Sequence, residues 1–303
     1  MAGPVKYLSL SEWQQYVDQH PQATFYQTPK WYTVWDAYKG YKPHAVIITV
    51  KQKEVFFTYA VKRFKKGLLR KIISSPAGVY GGFLAYEPLT EEDLKKLVSY
   101  AAKLGEEVVI TDANYNICDR KITTQTISLK EGIEDVRKGY AEAHPRKIEK
   151  AKKEGVTVKL AETDNDWDIY VGIYQQMLNE WDNPTMKYST ALFDKFKNVS
   201  GVKLWLAEYN GEIVGGALCL YHNNHVAYWH GAGNKAAKDV NANYVLFDAI
   251  MEEACKNGYE VFDMMPSAGL KGVEEFKSNF GAVPKEISLL VRTSKILKIF
   301  GHA

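Results

Sequence analysis

The sequence predicts an α/β fold built from two tandem copies of one unit, and three observations carry that prediction. The composition, 46% hydrophobic, 25% charged and 13% aromatic over 303 residues, is that of a chain that buries a full core, at a length that suits two domains. Pro43 to Val61 reads as strand, polar turn, strand, and so does Gly201 to Leu220, with Glu54-Val55 matching Glu212-Ile213 at an offset of 158. The segment Ser99 to Ala113, a helix end followed by a strand, has its counterpart in Met251 to Met265, where Gly105 matches Gly258 and Val108 matches Val261 at an offset of 153. Two separate matches at nearly one offset point to a duplicated unit.

Each copy is expected to run helix, helix, hairpin, further strand, helix, strand. In the first copy Thr90 caps a helix whose opening turn holds Glu91, Glu92 and Asp93, acids that oppose the helix dipole. Gly105 and Gly258 are expected to close their helices in the left-handed conformation. The strands that follow, Glu107 to Ile110 and Glu260 to Met264, are short and β-branched or aromatic, as buried strands are. Between the copies, Gly139 to Glu154 reads as a helix with Lys or Arg at 146, 147, 150, 152 and 153, and it enters VTVKL with no flexible linker. The domains are therefore set at 1–138 and 139–303, with an expected shared interface. Ile213 to Asn234 carries no charged residue over 22 positions, the length of a membrane span, but His222-Asn223-Asn224-His225 interrupts it, so it reads as a hairpin with a polar turn. The closing SKILKIFGHA is a short basic amphipathic stretch that would dock on the body, leaving at most peripheral membrane contact.

Charge and motifs narrow the function. Lys+Arg 39 against Asp+Glu 36 gives +3, too little for stable DNA binding by bulk charge. Three cysteines without a CxxC pair and an opening free of any apolar leader fit a cytoplasmic protein without a disulfide framework. No Ser/His/Asp triad, HExxH, Walker loop or dinucleotide fingerprint is found, so no metal or bound cofactor is expected. Lys62 to Lys71 holds six positive residues in ten, either a solvated hairpin tip or a contact for phosphates of a tRNA arm or an anionic head group. The glycine-rich segment from Ser74 serves close approach to a substrate or a tight bend.

The tail Gly272 to Glu286 (GVEEFKSNFGAVPKE) carries a Phe-Lys pair, two residues, Phe-Gly, then Pro-Lys. With the hairpin LWLAEYNGEIVGGALCLY, the strand AYWHGAG, the basic helix HPRKIEKAKKEGVTV and the amino-terminal FYQTPKWYTVW, the chain resembles the Fem-type aminoacyltransferases, FemAB and FemX and their relatives, over about residues 20–293. The resemblance implies two packed GNAT-like (acyl-CoA N-acyltransferase-like) units. It implies that Phe276 and Lys277 are the family's Phe-Lys pair, in which the lysine is implicated in acyl transfer. It places Tyr228 and His230 on the strand where the family sets two aromatic residues near its peptide-like acceptor, with His in place of the usual Tyr. Lys187 falls near a basic position that contacts acceptor phosphates. At the other such position, in the amino-terminal helix, Trp35 stands where the family has lysine, a departure that argues against a UDP-linked acceptor.

The residue chemistry allows these roles. An amine attacking an ester forms a tetrahedral oxyanion, and one well-placed donor lowers that barrier by roughly 3 kcal/mol, which the Lys277 ammonium could supply. Strand alternation would put Tyr228 and His230 on one face, and a His with an unperturbed pKa of ~6.5 could take the amine proton. Asp263 reads as a loop-ordering carboxylate, or as a general base or ammonium anchor. Phe276 equally suits a core, Lys277 a surface charge and His230 a structural hydrogen bond. The loop Lys235 to Asn243 lacks the glycines of an acyl-CoA pyrophosphate loop, and Asp239 would repel a phosphate there. The expectation is a cytoplasmic N-acyltransferase taking an aminoacyl group from aminoacyl-tRNA to an amine of a peptidoglycan-precursor-like acceptor in cell-wall synthesis. The alternative is acyl-CoA-dependent transfer to a small-molecule, lipid or polysaccharide amine, and a non-catalytic binding module is the third class.

Overall fold

The structure, a computed structural model, describes residues 3–118, 120–180, 187–295 and 297. It forms two compact units, residues 1–123 with 286–303, and residues 124–285. The division thus falls between Thr123 and Thr124 instead of at 138/139, and the strand Val283–Thr293 returns to the first unit. Most of the SKILKIFGHA stretch lies outside the described residues.

In the first unit β1 (Val5–Tyr7), β2 (Lys42–Val50), β3 (Lys53–Phe64) and β4 (Leu69–Ile73) pair antiparallel in sequence order, with β5 (Phe83–Leu84) on β3. Helices α1 (Leu10–Gln19) and α2 (Pro29–Lys39) precede the β2–β3 hairpin. After α3 (Glu91–Ala101), β6 (Glu107–Asp112) returns parallel to β4. Thr90 caps α3 as expected, its hydroxyl taking the Asp93 N–H while the Asp93 carboxylate takes the Thr90 N–H.

The second unit repeats this plan. It contains β7 (Lys121–Ser128), α4 (Ile133–Lys138), the basic helix α5 (Ala143–Lys153) and β8 (Thr157–Leu160). Helices α6 (Asp164–Glu180) and α7 (Thr190–Phe196) lead to the meander β9 (Val202–Tyr209), β10 (Glu212–His222) and β11 (His225–Gly233). The two-residue turns Asn210-Gly211 and Asn223-Asn224 close its hairpins, so the uncharged 213–234 segment is strand throughout except at its polar turn and its end. No helix among the described residues is long and apolar enough to cross a membrane. Beyond α8 (Lys235–Asp239) and α9 (Ala242–Lys256), β12 (Val261–Asp263) runs parallel to β11, as β6 does to β4. The short helix α10 (Lys271–Ser278) precedes β13 (Val283–Thr293), which pairs antiparallel with β6, while β7 pairs antiparallel with β12. Thus β13, which follows the second unit's parallel strand in the chain, pairs in the first unit, and β7, which follows the first unit's parallel strand, pairs in the second.

The two matched glycines differ. Gly258 takes φ +77 and ends α9 in the left-handed region as expected, but Gly105 does not. A Cβ there would stand 2.8 Å from the Arg70 carbonyl oxygen and from Ile72, so Gly105 is set by close approach to β4.

In the second unit the buried side of α9 is tied to α4 and α5 by Asp248. Its carboxylate accepts from Arg137 Nε and Nη2, both at 2.9 Å, from Tyr140 Oη at 3.2 Å and from Lys152 Nζ at 3.4 Å. Arg137 also meets Glu252 at 2.8 Å, and these carboxylates hold the guanidinium firmly charged. Asp248→Ala leaves a partly buried cation without its main partner and is expected to cost about 3 kcal/mol, whereas Glu134→Ala, whose carboxylate is solvated, should cost under about 0.5 kcal/mol. Urea melts of the two variants check this, and equal small losses would refute it.

Candidate functional site

Strand β11 is the backbone of the site because it is bulged. Cys219 pairs with Tyr228 and Leu218 with His230, so Trp229 is the extra residue and the alternation shifts there. Tyr228 consequently packs edge-on against Phe247 of α9 at 4.7 Å. His230 instead lies among Tyr174 of α6 at 4.5 Å and Phe193 of α7 at 5.0 Å. The expectation that both occupy one face is corrected: they point to opposite faces of the sheet, and Trp229 joins His230 on the α7 side by packing on Phe196 at 4.9 Å. Two residues later Gly231 is required, since a Cβ there would overlap the Tyr228 hydroxyl.

Both residues nevertheless border a cavity of about 310 Å³, lined also by Tyr174, Tyr188, Trp229 and the segment from Met264 to Lys277. A wider cleft of about 900 Å³ shares Tyr228 and Gly231 with it and runs along α8 and the start of α9, with Phe276 on its wall. Phe276 also packs on Tyr244, Phe247 and Phe280 within 5.6 Å, so it serves core and cleft together.

Lys277 is the cation of the cavity. It is only 3% exposed, and its Nζ donates to the Met265 carbonyl at 2.7 Å. Burial lowers its pKa to about 8, against the pull of Asp263 and Glu274. The surface-charge reading is thereby set aside. Met265 presents that carbonyl from a left-handed backbone, φ +63, which costs a non-glycine residue about 1–2 kcal/mol. Asp263 holds the turn: its Oδ1 accepts the Met265 N–H at 2.8 Å and the Thr124 hydroxyl at 2.7 Å, and its Oδ2 lies 3.4 Å from His225 Nε2. Asp263 is 2% exposed and does not line the cavity, so of its sequence readings the loop-ordering one describes what it touches. Gln125 adds a second clasp, donating to the Glu274 carbonyl and Ser278 hydroxyl on α10 and accepting from Ser267.

His230 shares a 2.6 Å hydrogen bond between its Nδ1 and the Tyr170 hydroxyl. Burial lowers its pKa to about 3, so the imidazole is neutral near pH 7 and a weak proton acceptor. Lys187 is exposed beside Tyr188, which stacks toward Trp229 at 5.2 Å and lines the cavity. Trp35 belongs to the first unit, where it is 3% exposed and packed on Trp31 and Tyr38. The basic run 62–71 forms the β3–β4 turn region, with Lys71 paired to Glu107 at 2.7 Å and Lys65 and Lys66 exposed. Among the described residues no group of three His, Cys, Asp or Glu could hold a metal ion. Sequence reasoning missed Trp229, Tyr174, Tyr188, Met265 and Gln125; Tyr170 and Tyr174, four residues apart on one helix, carried the only periodic signal.

Compared with known proteins, residues 141–278 match the family described as Acetyltransferase (GNAT) domain. No curated protein matches the chain. Among solved structures it is similar to FemX, with a TM-score of 0.75 and 11% identity over 98% of this chain and 99% of that one. It is also similar to L-PGS from Bacillus licheniformis, with a TM-score of 0.51 and 11% identity over 90% of this chain and 93% of that one. A tandem GNAT protein from the clavulanic acid biosynthesis pathway gives a TM-score of 0.50 and 10% identity over 95% of this chain and 97% of that one. The fold is thus the tandem GNAT-like, FemX-like architecture that the sequence predicted. The matched domain lies within the second unit, contains the cavity and Lys277, and supports an acyltransferase activity.

Asp263 supplies a pH test. Burial raises its pKa to about 7, so the folded state holds a proton that the unfolded chain releases near 4, and this group's contribution to stability falls as pH rises from about 4 to about 7. Asn at 263 keeps both hydrogen-bond acceptor roles of Oδ1 without titrating. Asp263→Asn is therefore expected to gain stability relative to wild type between pH 5 and pH 8; melting curves that move in parallel across that range would show that Asp263 does not titrate with folding.

Proposed function

We propose that this acyltransferase moves an aminoacyl group from aminoacyl-tRNA to an amine of a peptidoglycan-precursor-like acceptor, with Lys277 as the catalytic cation. The observation that carries the reading is the desolvated ammonium of Lys277 on the cavity wall, fixed by one hydrogen bond to Met265 and keeping two N–H donors. As the amine attacks the ester carbonyl, negative charge grows on oxygen, and a preformed cation in a site poor in water stabilises it without reorganising. The proton lost by the amine passes to the leaving 3′-oxygen or to water, since His230 is too weakly basic to hold it. His230, pinned by Tyr170, orients the wall through which the acceptor would approach.

The donor assignment rests on the start of α8. The Asn234 side chain already accepts the Ala237 N–H at 3.0 Å, and Asp239 and Glu180 border the same cleft as Lys235 and Lys238. A pyrophosphate at that turn would displace the cap and bring Asp239 close to its phosphates. Acyl-CoA is the second reading, favoured by the acetyltransferase domain match. The FemX-like fold supports the peptidoglycan-type acceptor by analogy of architecture.

Labelled aminoacyl-tRNAs and acyl-CoAs incubated with the protein and candidate amines separate the donors: RNase-sensitive transfer is expected, and RNase-insensitive transfer that requires CoA would overturn it. Lys277→Ala is expected to lower kcat at least about tenfold without unfolding the chain. Wild-type turnover in a folded Lys277→Ala would remove Lys277 from the chemistry.

A further inference from the structure

We infer that the 310 Å³ cavity seats an uncharged, apolar side chain of the acyl group, joined to the carbonyl that Lys277 meets. This rests on the acyl-transfer reading and adds the substrate class to it.

The two connected spaces differ in charge. The wider cleft is bordered by Glu180, Lys235, Lys238 and Asp239, so charged substrate parts find counter-charges there. The smaller cavity has no Asp or Glu among its described lining residues, and Lys277 is its only charged one. The rest of its lining is mostly aromatic, aliphatic and thioether, including Trp229, Tyr174, Met265, Leu270 and Val273, with the hydroxyls of Tyr188, Tyr228 and Ser267 and with His230 held in a hydrogen bond. An ammonium or guanidinium side chain entering it would lose its water, gain no carboxylate and meet the Lys277 charge. A carboxylate side chain would compete with the reacting carbonyl for the same two N–H donors. An aliphatic or aromatic side chain meets neither penalty and buries its surface against aromatic and thioether groups that adapt to its shape. A volume near 300 Å³ is the lower range of small-molecule pockets and suits one such side chain with its carbonyl.

The test uses the intact chain and four N-acetyl amino acids that share one carboxylate for Lys277 and differ in side chain. In isothermal titration calorimetry, N-acetyl-leucine and N-acetyl-phenylalanine are expected to bind at least about tenfold more tightly than N-acetyl-lysine and N-acetyl-glutamate, a difference of about 1.4 kcal/mol. Val273, 38% exposed on α10, tolerates a charge at the cavity mouth, so Val273→Glu is expected to shift the preference toward N-acetyl-lysine. Equal or tighter binding of N-acetyl-lysine by the wild type, an unchanged preference in folded Val273→Glu, or no binding of the apolar probes at about 10 mM would overturn the inference. Because these probes need no donor, their failure leaves tRNA-dependent transfer standing, and an intact apolar preference without such transfer would refute the donor assignment alone.

Discussion

A buried ammonium must be given an acceptor, and the arrangement around Lys277 follows from that requirement. Its partner is a main-chain carbonyl, presented to Nζ by Met265, which turns left-handed two residues beyond the end of β12. That conformation is unfavourable for a side-chain-bearing residue and persists because neighbouring groups hold it. Asp263 takes the N–H of the turn, Thr124 fixes Asp263 from β7, and Gln125 joins the loop to α10, the helix that carries the lysine. The polar geometry of the cavity is thus set by residues behind it, and the cavity itself is left almost wholly to apolar contact.

The bulge in β11 is the second constraint. A regular strand would send Tyr228 and His230 into one layer and Trp229 into the other. The inserted residue instead gives Tyr228 to the α9 layer and both Trp229 and His230 to the α6–α7 layer. One strand thereby serves two differently charged spaces. Gly231 lets the Tyr228 ring lie back against the main chain, since a Cβ there would overlap its hydroxyl.

What was legible in the sequence were features with local physical causes. Paired hairpins announced themselves through polar turns such as Asn210-Gly211, the α3 start through Thr90 and its acids, and the duplication through two matches at nearly one offset. The Phe-Lys pair was visible as a motif, while the burial of Lys277 was not, because nothing in neighbouring residues reports a carbonyl twelve positions upstream. The bulge was hidden for a similar reason: Tyr228-Trp229-His230 reads equally well with or without an inserted residue, and only pairing to β10 decides it. Gly105 shows the reverse case: it reads as the left-handed close of α3, yet α3 ends at Ala101 and steric approach to β4 selects the glycine, since both causes look alike in a sequence.

The return of β13 to the first unit bears on how the chain is made. During synthesis β6 emerges with β4 beside it, but its other neighbour, residues 288–293, follows only after the whole of the second unit. The first unit thus waits with an open edge at β6 through the translation of the whole second unit, within which β7 finds β12. The time that edge stays open scales with the translation of everything between.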